Sequence, residues 1–159
     1  MQQPPKKLTI GEAKPKIYAY CAYQERTHQE VKDRLYRFGL HTNEVDELLT
    51  HLIVEGYLNE ERFAKAFAGG KFRVKKWGRL KIINELEARG LTANCIRSGM
   101  KEIEEADYAK TLETLLIKKA NLLSDRDSFT KRDKLARYGI QKGFESELVW
   151  KLVKTIITD

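Results

Sequence analysis

The sequence predicts an all-α protein of three tandem three-helix repeats that form an elongated, curved array. The helix stops Gly39-Leu40, Gly90-Leu91 and Gly143-Phe144 recur at intervals of 51 and 53 residues. Apolar residues keep one register around each glycine, eight positions before it and six and thirteen positions after it. These positions hold Val31, Ile82 and Leu135; Val45, Ile96 and Val149; and Leu52, Ile103 and Ile156. No alternating apolar run bounded by turns indicates a strand.

The first repeat is predicted to cover residues 11–57, after a flexible N-terminal arm of residues 1–10. Pro15 is expected in the first turn of the first helix, where its missing N–H costs nothing. Thr27 and Glu30 have the spacing of a capping box, which predicts the start of the second helix. A third helix follows, so three helices fit into about 45 residues.

The second repeat is predicted for residues 58–105. Asn59 is a good N-cap for its first helix, and the two glutamates that follow it favour the helix dipole. If residues 59–75 form one helix, the inward stripe consists of Phe63, Phe67, Gly70 or Lys71, and Val74. Gly78 then opens a second helix, and Thr92 caps the third.

The third repeat is predicted for residues 106–159, after an acidic segment at Glu102–Asp107. That segment is typical of a solvated helix end more than of a metal site. Gly139 stands where the first two repeats have Leu35 and Leu86, so we expect a bent or loosely packed helix there.

Positive charge is concentrated in one segment, Arg62–Asn84, which we call the basic stretch. It contains eight Lys or Arg and no Asp or Glu, whereas the other 22 basic residues of the chain nearly balance its 23 acidic ones. Aromatic residues lie among these charges, so the segment can pack on a folded body. The pattern predicts a surface that binds a polyanion such as nucleic acid.

Two sets of basic residues are candidates for that surface. The main set is Lys65, Lys71, Arg73, Lys75, Lys76, Arg79 and Lys81. A weaker set in the third repeat, with aspartates among it, is Lys131, Arg132, Lys134 and Arg137. Trp77 could stack a base, but a tryptophan that closes a small core is the more common case.

The sequence gives no positive sign of catalysis. No phosphate-binding glycine loop, metal-ligand spacing or activated nucleophile occurs, and the three histidines are isolated. Cys21 and Cys95 are interpreted as small buried hydrophobic residues. No apolar run is long enough to span a membrane and the start does not resemble a signal peptide, so we expect a cytoplasmic protein without cofactor or metal.

Two motifs resemble the central signature of the RecX regulatory proteins. The first half is GYLNEERFAKAF, residues 56–67, and the second is GRLKIINELEARGL, residues 78–91, with the basic run between them. The resemblance extends over about residues 11–157. Arg62 and Glu85 match the motif as well, either as contact residues or as an ion pair between helices.

The resemblance implies a modulator of the RecA recombinase, with roles in DNA recombination, DNA repair and the SOS response. Members of this family lie in the groove of the RecA–single-stranded-DNA filament. There they inhibit strand exchange, ATP hydrolysis and co-protease activity by blocking filament growth or destabilising the filament. The main set of basic residues would then dock electrostatically, and no residue would be catalytic.

Two other classes of function remain open from the residues alone. A stand-alone helical DNA-binding protein would bind bare DNA with a steep salt dependence. An enzyme acting on nucleic acid would need a metal or nucleophile cluster, which the sequence lacks. No heptad pattern is sustained, so we expect a monomer.

Overall fold

The structure is a computed structural model that describes residues 7–158. Within this range the chain forms α-helices and one π-helical turn, and no strand. The helices are α1 (Ile10–Tyr23), α2 (His28–Arg37), α3 (Thr42–Val54), α4 (Glu60–Gly70), α5 (Arg79–Ala88), α6 (Ala93–Met100), α7 (Glu105–Ala120), α8 (Ser128–Gln141) and α9 (Ser146–Ile156). The π-turn (Lys71–Lys75) continues directly from α4. The predicted all-α class is confirmed, and we refer to α1–α3, α4–α6 and α7–α9 as repeats 1, 2 and 3.

Side-chain caps fix where several helices begin. Thr27 Oγ1 accepts from the Glu30 N–H at 3.1 Å, as its position in the sequence indicates. Thr9 and Glu12 form a reciprocal capping box, which starts α1 at Ile10. Pro15 therefore lies in the interior of α1 and not in its first turn, contrary to expectation.

The N-terminal arm was predicted to extend to residue 10, and its last residues are instead part of the fold. Leu8 donates its N–H to the Phe38 carbonyl at 2.8 Å. Leu8 and Ile10 also pack on the core of repeat 1. Residues 1–6 of the predicted arm lie outside the described residues.

The apolar interior is divided into two separate cores. Residues from Ala13 to Leu58 form the first core, which belongs to repeat 1. Residues from Phe63 to Val153 form the second, which repeats 2 and 3 share. Leu58 is only 2% exposed and closes the first core just before α4 begins. Repeat 1 is therefore a self-contained unit, and repeats 2 and 3 are halves of one larger unit.

Two glycines let repeats 2 and 3 approach each other at the backbone. The Gly78 N–H donates to the Lys142 carbonyl at 2.8 Å, and the Leu80 N–H donates to the Gly143 carbonyl at 2.9 Å. A Cβ at Gly78 would overlap the Gly143 carbonyl group and the Phe144 nitrogen. Gly143 itself has φ +99°, a conformation that favours glycine. The loop before α5 and the end of α8 thus interlock.

Gly139 is tightly packed, so the expectation of a loosely packed helix is wrong. It is buried within the uninterrupted helix α8. A Cβ at this position would lie 3.0 and 3.1 Å from the two methyl groups of Val149. The small residue allows α8 to cross α9 closely where the other repeats use a leucine.

The joint between repeats 1 and 2 is mainly polar. Arg62 Nε lies 2.5 Å from Glu25 Oε1, and its Nη2 donates to the Gly56 carbonyl at 3.0 Å. Glu60 accepts from the His28 backbone N–H at 3.1 Å. Arg62 is therefore a structural residue of this joint. Its carboxylate partner is Glu25 and not Glu85, which pairs with Arg89 within α5 at 2.7 Å.

Candidate functional site

α4 and the π-turn form one long rod that carries most of the basic stretch, and the rest of the stretch is the following loop and the start of α5. The rod ends at Lys76, which has φ 58° and ψ 40°, the left-handed conformation that residues other than glycine rarely adopt. The N–H groups of Lys76 and Trp77 close the turn on the Phe72 and Lys71 carbonyls at 3.1 and 3.2 Å. A single π-turn and a left-handed non-glycine residue are both features that cluster at functional sites.

The π-turn determines which side chains of the rod face inward. Phe72 is 5% exposed and packs against the Tyr108 ring, with 5.9 Å between the centroids. Val74, predicted in the inward stripe, is 77% exposed. Ala64, Ala68 and Phe72, spaced four residues apart, form the buried stripe together with Phe63. The outer side of the turn is thus left to charged residues and Val74.

Three cations at this turn have no acidic partner in the described part of the chain, and we call Arg73, Lys75 and Lys76 the basic tip. All three side chains are exposed, and none pairs with a carboxylate of the described residues. The Arg73 guanidinium lies against Gly69, where an added Cβ would come within 2.5 Å of Nη2. Gly69 therefore provides the space in which this guanidinium rests, which the glycine pair in the sequence did not reveal.

Three other members of the main set have partners inside the protein. Lys71 and Lys81 are half-buried, and their Nζ atoms lie 4.9 and 4.5 Å from the centroid of the Trp77 ring. Trp77 is thereby held between cations and Phe67, which favours a packing role over base stacking. Lys65 is exposed beside Glu61, at 3.4 Å, an arrangement that restrains a surface lysine only weakly.

Arg79, also in the main set, is the centre of a network between repeats 2 and 3. Its guanidinium donates to Glu105 at 2.6 Å and to Glu145 at 3.0 Å. It also stacks on the Tyr108 ring at 3.8 Å. Burial alone would lower the pKa of Arg79, but the hydrogen bonds to both glutamates raise it. We therefore revise the expectation that Arg79 is a contact residue and assign it a structural role.

Tyr108 completes this network and was not identified in the sequence analysis. It is 1% exposed, and its hydroxyl accepts from the Arg79 backbone N–H at 3.0 Å and donates to Glu145. Burial, and then the contact with Glu145, raise the pKa of this hydroxyl. Its four-residue spacing from Leu112 and Leu116 was a signal for a buried position.

Most residues of the weaker basic set in repeat 3 are bound to other groups of the protein. Lys134 binds Asp125 at 2.9 Å, and Arg137 binds Asp133 at 2.6 Å. Arg132 donates to the Ile157 carbonyl at 2.9 Å and so ties α8 to the end of α9. The hydrogen bond from Lys134 lowers the pKa of Asp125. The aspartates that lie among these basic residues in the sequence are therefore their partners in the structure. Because these charges are paired, the basic tip is the stronger candidate surface.

A cavity of about 350 Å³ opens beside the basic tip. Phe72, Arg73 and Lys76 line one side of it. The other side is one face of α7, where Lys110 adds a cation from outside the basic stretch. Only the fold brings these residues together, because about 35 residues separate them in the chain.

Three other features predicted from the sequence also have a place in the structure. The acidic segment before α7 supplies the helix N-cap, Glu104, and an acidic first turn. Cys21 is buried and Cys95 partly buried. None of the helices of residues 7–158 is both long and apolar enough to cross a bilayer.

Comparisons with known proteins agree with this architecture. The family described as "RecX, second three-helix domain" matches residues 59–100, and "RecX, third three-helix domain" matches residues 105–153. Together these matches cover more than half of the chain. The chain belongs to the RecX family. Repeats 2 and 3 of this RecX-family chain therefore correspond to the two matched domains.

Several named relatives are similar over most of the chain. A protein named "Regulatory protein RecX" from Prosthecochloris aestuarii is 26% identical over 88% of this chain and 90% of its own. Another of that name, from Chlorobium limicola, is 27% identical over 89% and 86%. A longer one from Oceanobacillus iheyensis is 25% identical, and the match spans 56% of its length.

A solved structure shows the same fold. The crystal structure of RecX from Lactobacillus salivarius superimposes with a TM-score of 0.84 at 22% identity, over 92% of this chain and 96% of the other. This similarity extends to the region of repeat 1, which lies outside the two matched family domains.

Proposed function

We propose that this RecX-family chain is a non-catalytic regulator that binds the RecA–single-stranded-DNA filament. It inhibits strand exchange, ATP hydrolysis and co-protease activity by blocking filament growth or destabilising the filament. Family membership and the name "Regulatory protein RecX" of its relatives support this proposal. It acts in the cytoplasm as a monomer, in DNA recombination, DNA repair and the SOS response.

The observation that carries the proposal is the unpaired charge of the basic tip. Arg73, Lys75 and Lys76 project from a turn whose backbone is fixed by the π-helical hydrogen bonds and by the Lys142 side chain, which donates to the Lys75 carbonyl at 3.2 Å. Each cation that neutralises a phosphate releases condensed counterions, so three contacts give a salt-dependent gain in affinity. Such contacts position a protein on nucleic acid without reading its sequence.

Other residues of the main set support the tip in different ways. Lys71 and Lys81 hold Trp77, and Trp77 closes the second core behind the tip. Arg79 ties α5 to repeat 3. Lys65 lies about two helical turns before Arg73 and extends the positive surface along α4. We therefore propose the basic tip as the docking surface, with Lys65 at its edge and the other three as its scaffold.

The experiment that tests the proposal measures ATP hydrolysis by the cognate recombinase on single-stranded DNA as this protein is added. Inhibition at well below one protein per recombinase subunit is the expected result, because blocking growth at filament ends needs few molecules. A parallel titration of the protein onto the same DNA without recombinase, at several salt concentrations, is the control. Tight, salt-sensitive binding to bare DNA with no effect on hydrolysis would instead identify a stand-alone DNA-binding protein.

A further inference from the structure

The cavity beside the basic tip has an apolar wall, which contacts with a sugar–phosphate backbone do not require. Its rim contains the cations Arg73, Lys76 and Lys110. Its inner wall is apolar and includes Phe72 and Leu115. An exposed array of lysines would be enough to follow a sugar–phosphate backbone, so a concave apolar surface between the cations needs another explanation.

The rim cations and the polar groups of α7 are available to a ligand. Lys110, like Arg73 and Lys76, makes no ion pair within residues 7–158. Thr111 and Thr114 face the same cavity, and neither hydroxyl has a hydrogen-bond partner in the described part of the chain. Positions 107, 110, 111 and 114 share one helix face because they are three or four residues apart. The cavity thus offers unused donors along its length.

The one acidic group of the cavity helps to distinguish between possible ligands. Asp107 would repel an acidic peptide, but its carboxylate can accept the N–H groups of a nucleobase. Three cations exceed this single carboxylate, so the net field favours an anion. A nucleotide unit combines the required parts, since it has a phosphate and a flat, largely apolar body with N–H groups at its edge. The volume of about 350 Å³ lies within the range of ligand pockets.

We propose that this cavity binds one nucleotide of single-stranded nucleic acid. The phosphate lies between Arg73, Lys76 and Lys110, and the base leaves the stack and enters the cavity. There it contacts Phe72 and Leu115 and donates to Asp107. This proposal rests on the proposed function, because it specifies which part of the filament the basic tip contacts. It predicts that the protein prefers strands with bases over strands without them.

Fluorescence anisotropy with two labelled probes tests this subsite. One probe is a 15-nucleotide oligothymidine, and the other has the same backbone with every base removed. We expect the protein to bind the oligothymidine roughly fivefold more tightly, since contact with one base contributes about this much. Thr114→Trp, which fills the cavity without changing any charge, should abolish the difference in affinity between the two probes.

A matched variant and a fold check complete the experiment. Thr50→Trp, at an exposed position of α3 in repeat 1, should keep the full preference, and helical circular dichroism should be the same for all three proteins. Equal binding of both probes by the unmodified protein, or no binding of either, would overturn the subsite. It would also be overturned if Thr114→Trp kept the preference for the oligothymidine.

The recombinase assay separates this proposal from the one on which it rests. If the unmodified protein inhibits ATP hydrolysis but shows no preference between the probes, only the nucleotide subsite fails. If it does not inhibit hydrolysis at all, the proposed function fails whatever the probes show.

Discussion

Repeat 1 and the pair of repeats 2 and 3 contain similar helices but are stabilised in different ways. Repeat 1 has a core of its own, from Ala13 to Leu58, and contacts repeat 2 through polar groups such as Arg62 and Glu25. Repeats 2 and 3 share one core and interlock at Gly78 and Gly143. A repeating sequence therefore does not imply equal interfaces between the repeats.

This difference places the candidate site on the more rigid part of the molecule. The basic tip and the cavity beside it are formed by the π-turn, Lys76 and α7, and both the π-turn and α7 pack into the shared core. Binding geometry is kept best by elements that the core fixes on several sides. Repeat 1 has its own core and contacts repeat 2 mainly through polar groups, so we expect it to open independently.

Gly78→Ala should cause the largest change in the stability of repeats 2 and 3 relative to repeat 1. The added methyl overlaps backbone atoms of repeat 3, which cannot move without separating the two repeats. We expect a loss of about 3 kcal/mol in the free energy of unfolding of repeats 2 and 3. Thiol labelling resolves the two units, because Cys95 packs on the shared core and Cys21 lies in repeat 1.

Labelling of Cys95 should become faster in Gly78→Ala, and labelling of Cys21 should not. Burial raises the pKa of the Cys21 thiol to about 11, so at pH 8 this thiol reacts only when repeat 1 opens. Gly70→Ala is the matched control, since a Cβ at Gly70 meets no atom within 4 Å and alanine favours the helix. Equal stabilities of the two variants would contradict the interlock.

A smaller effect is expected from Arg62→Met at the joint between repeats 1 and 2. Arg62 and Glu25 side chains are 45% and 30% exposed, so water screens the pair. We expect a loss of less than about 1 kcal/mol in denaturant unfolding, and Glu25→Gln should add little to it. Arg97→Met is the control, because among residues 7–158 Arg97 bonds only to Asn94 within its own helix. A loss as large as that of Gly78→Ala would mean that the joint is not the weaker interface.

The helices were largely predictable because their caps and stops are local. Thr27, Asn59 and Thr92 each accept a backbone N–H at the start of a helix, as their positions indicated. Thr9 and Glu12 are an equally local signal for the start of α1, whereas Pro15 lies farther inside the helix. The role of Gly139 could not be predicted, since it depends on how close α8 lies to Val149.

The candidate site was predictable only in part, because charge density in a sequence does not show which charges are paired. Arg79 appeared equivalent to Arg73, yet its carboxylate partner Glu145 is 66 residues away in the chain. Lys110 went unnoticed for the converse reason, since it joins the cavity from another repeat. Phe72 lies inward and Val74 outward, because the buried stripe continues from Ala64 and Ala68 into the π-turn and not from Phe63 and Phe67, as predicted.

The most direct test of the basic tip compares two charge reversals in the recombinase assay. One variant carries Arg73→Glu, Lys75→Glu and Lys76→Glu. The other carries the same reversals at Lys101, Lys151 and Lys154, which are exposed on repeats 2 and 3 and change the net charge equally. We predict that the first raises the half-inhibitory concentration at least roughly tenfold, and the second by less than about twofold. Equal inhibition by both variants, with helicity intact, would contradict the docking role of the basic tip.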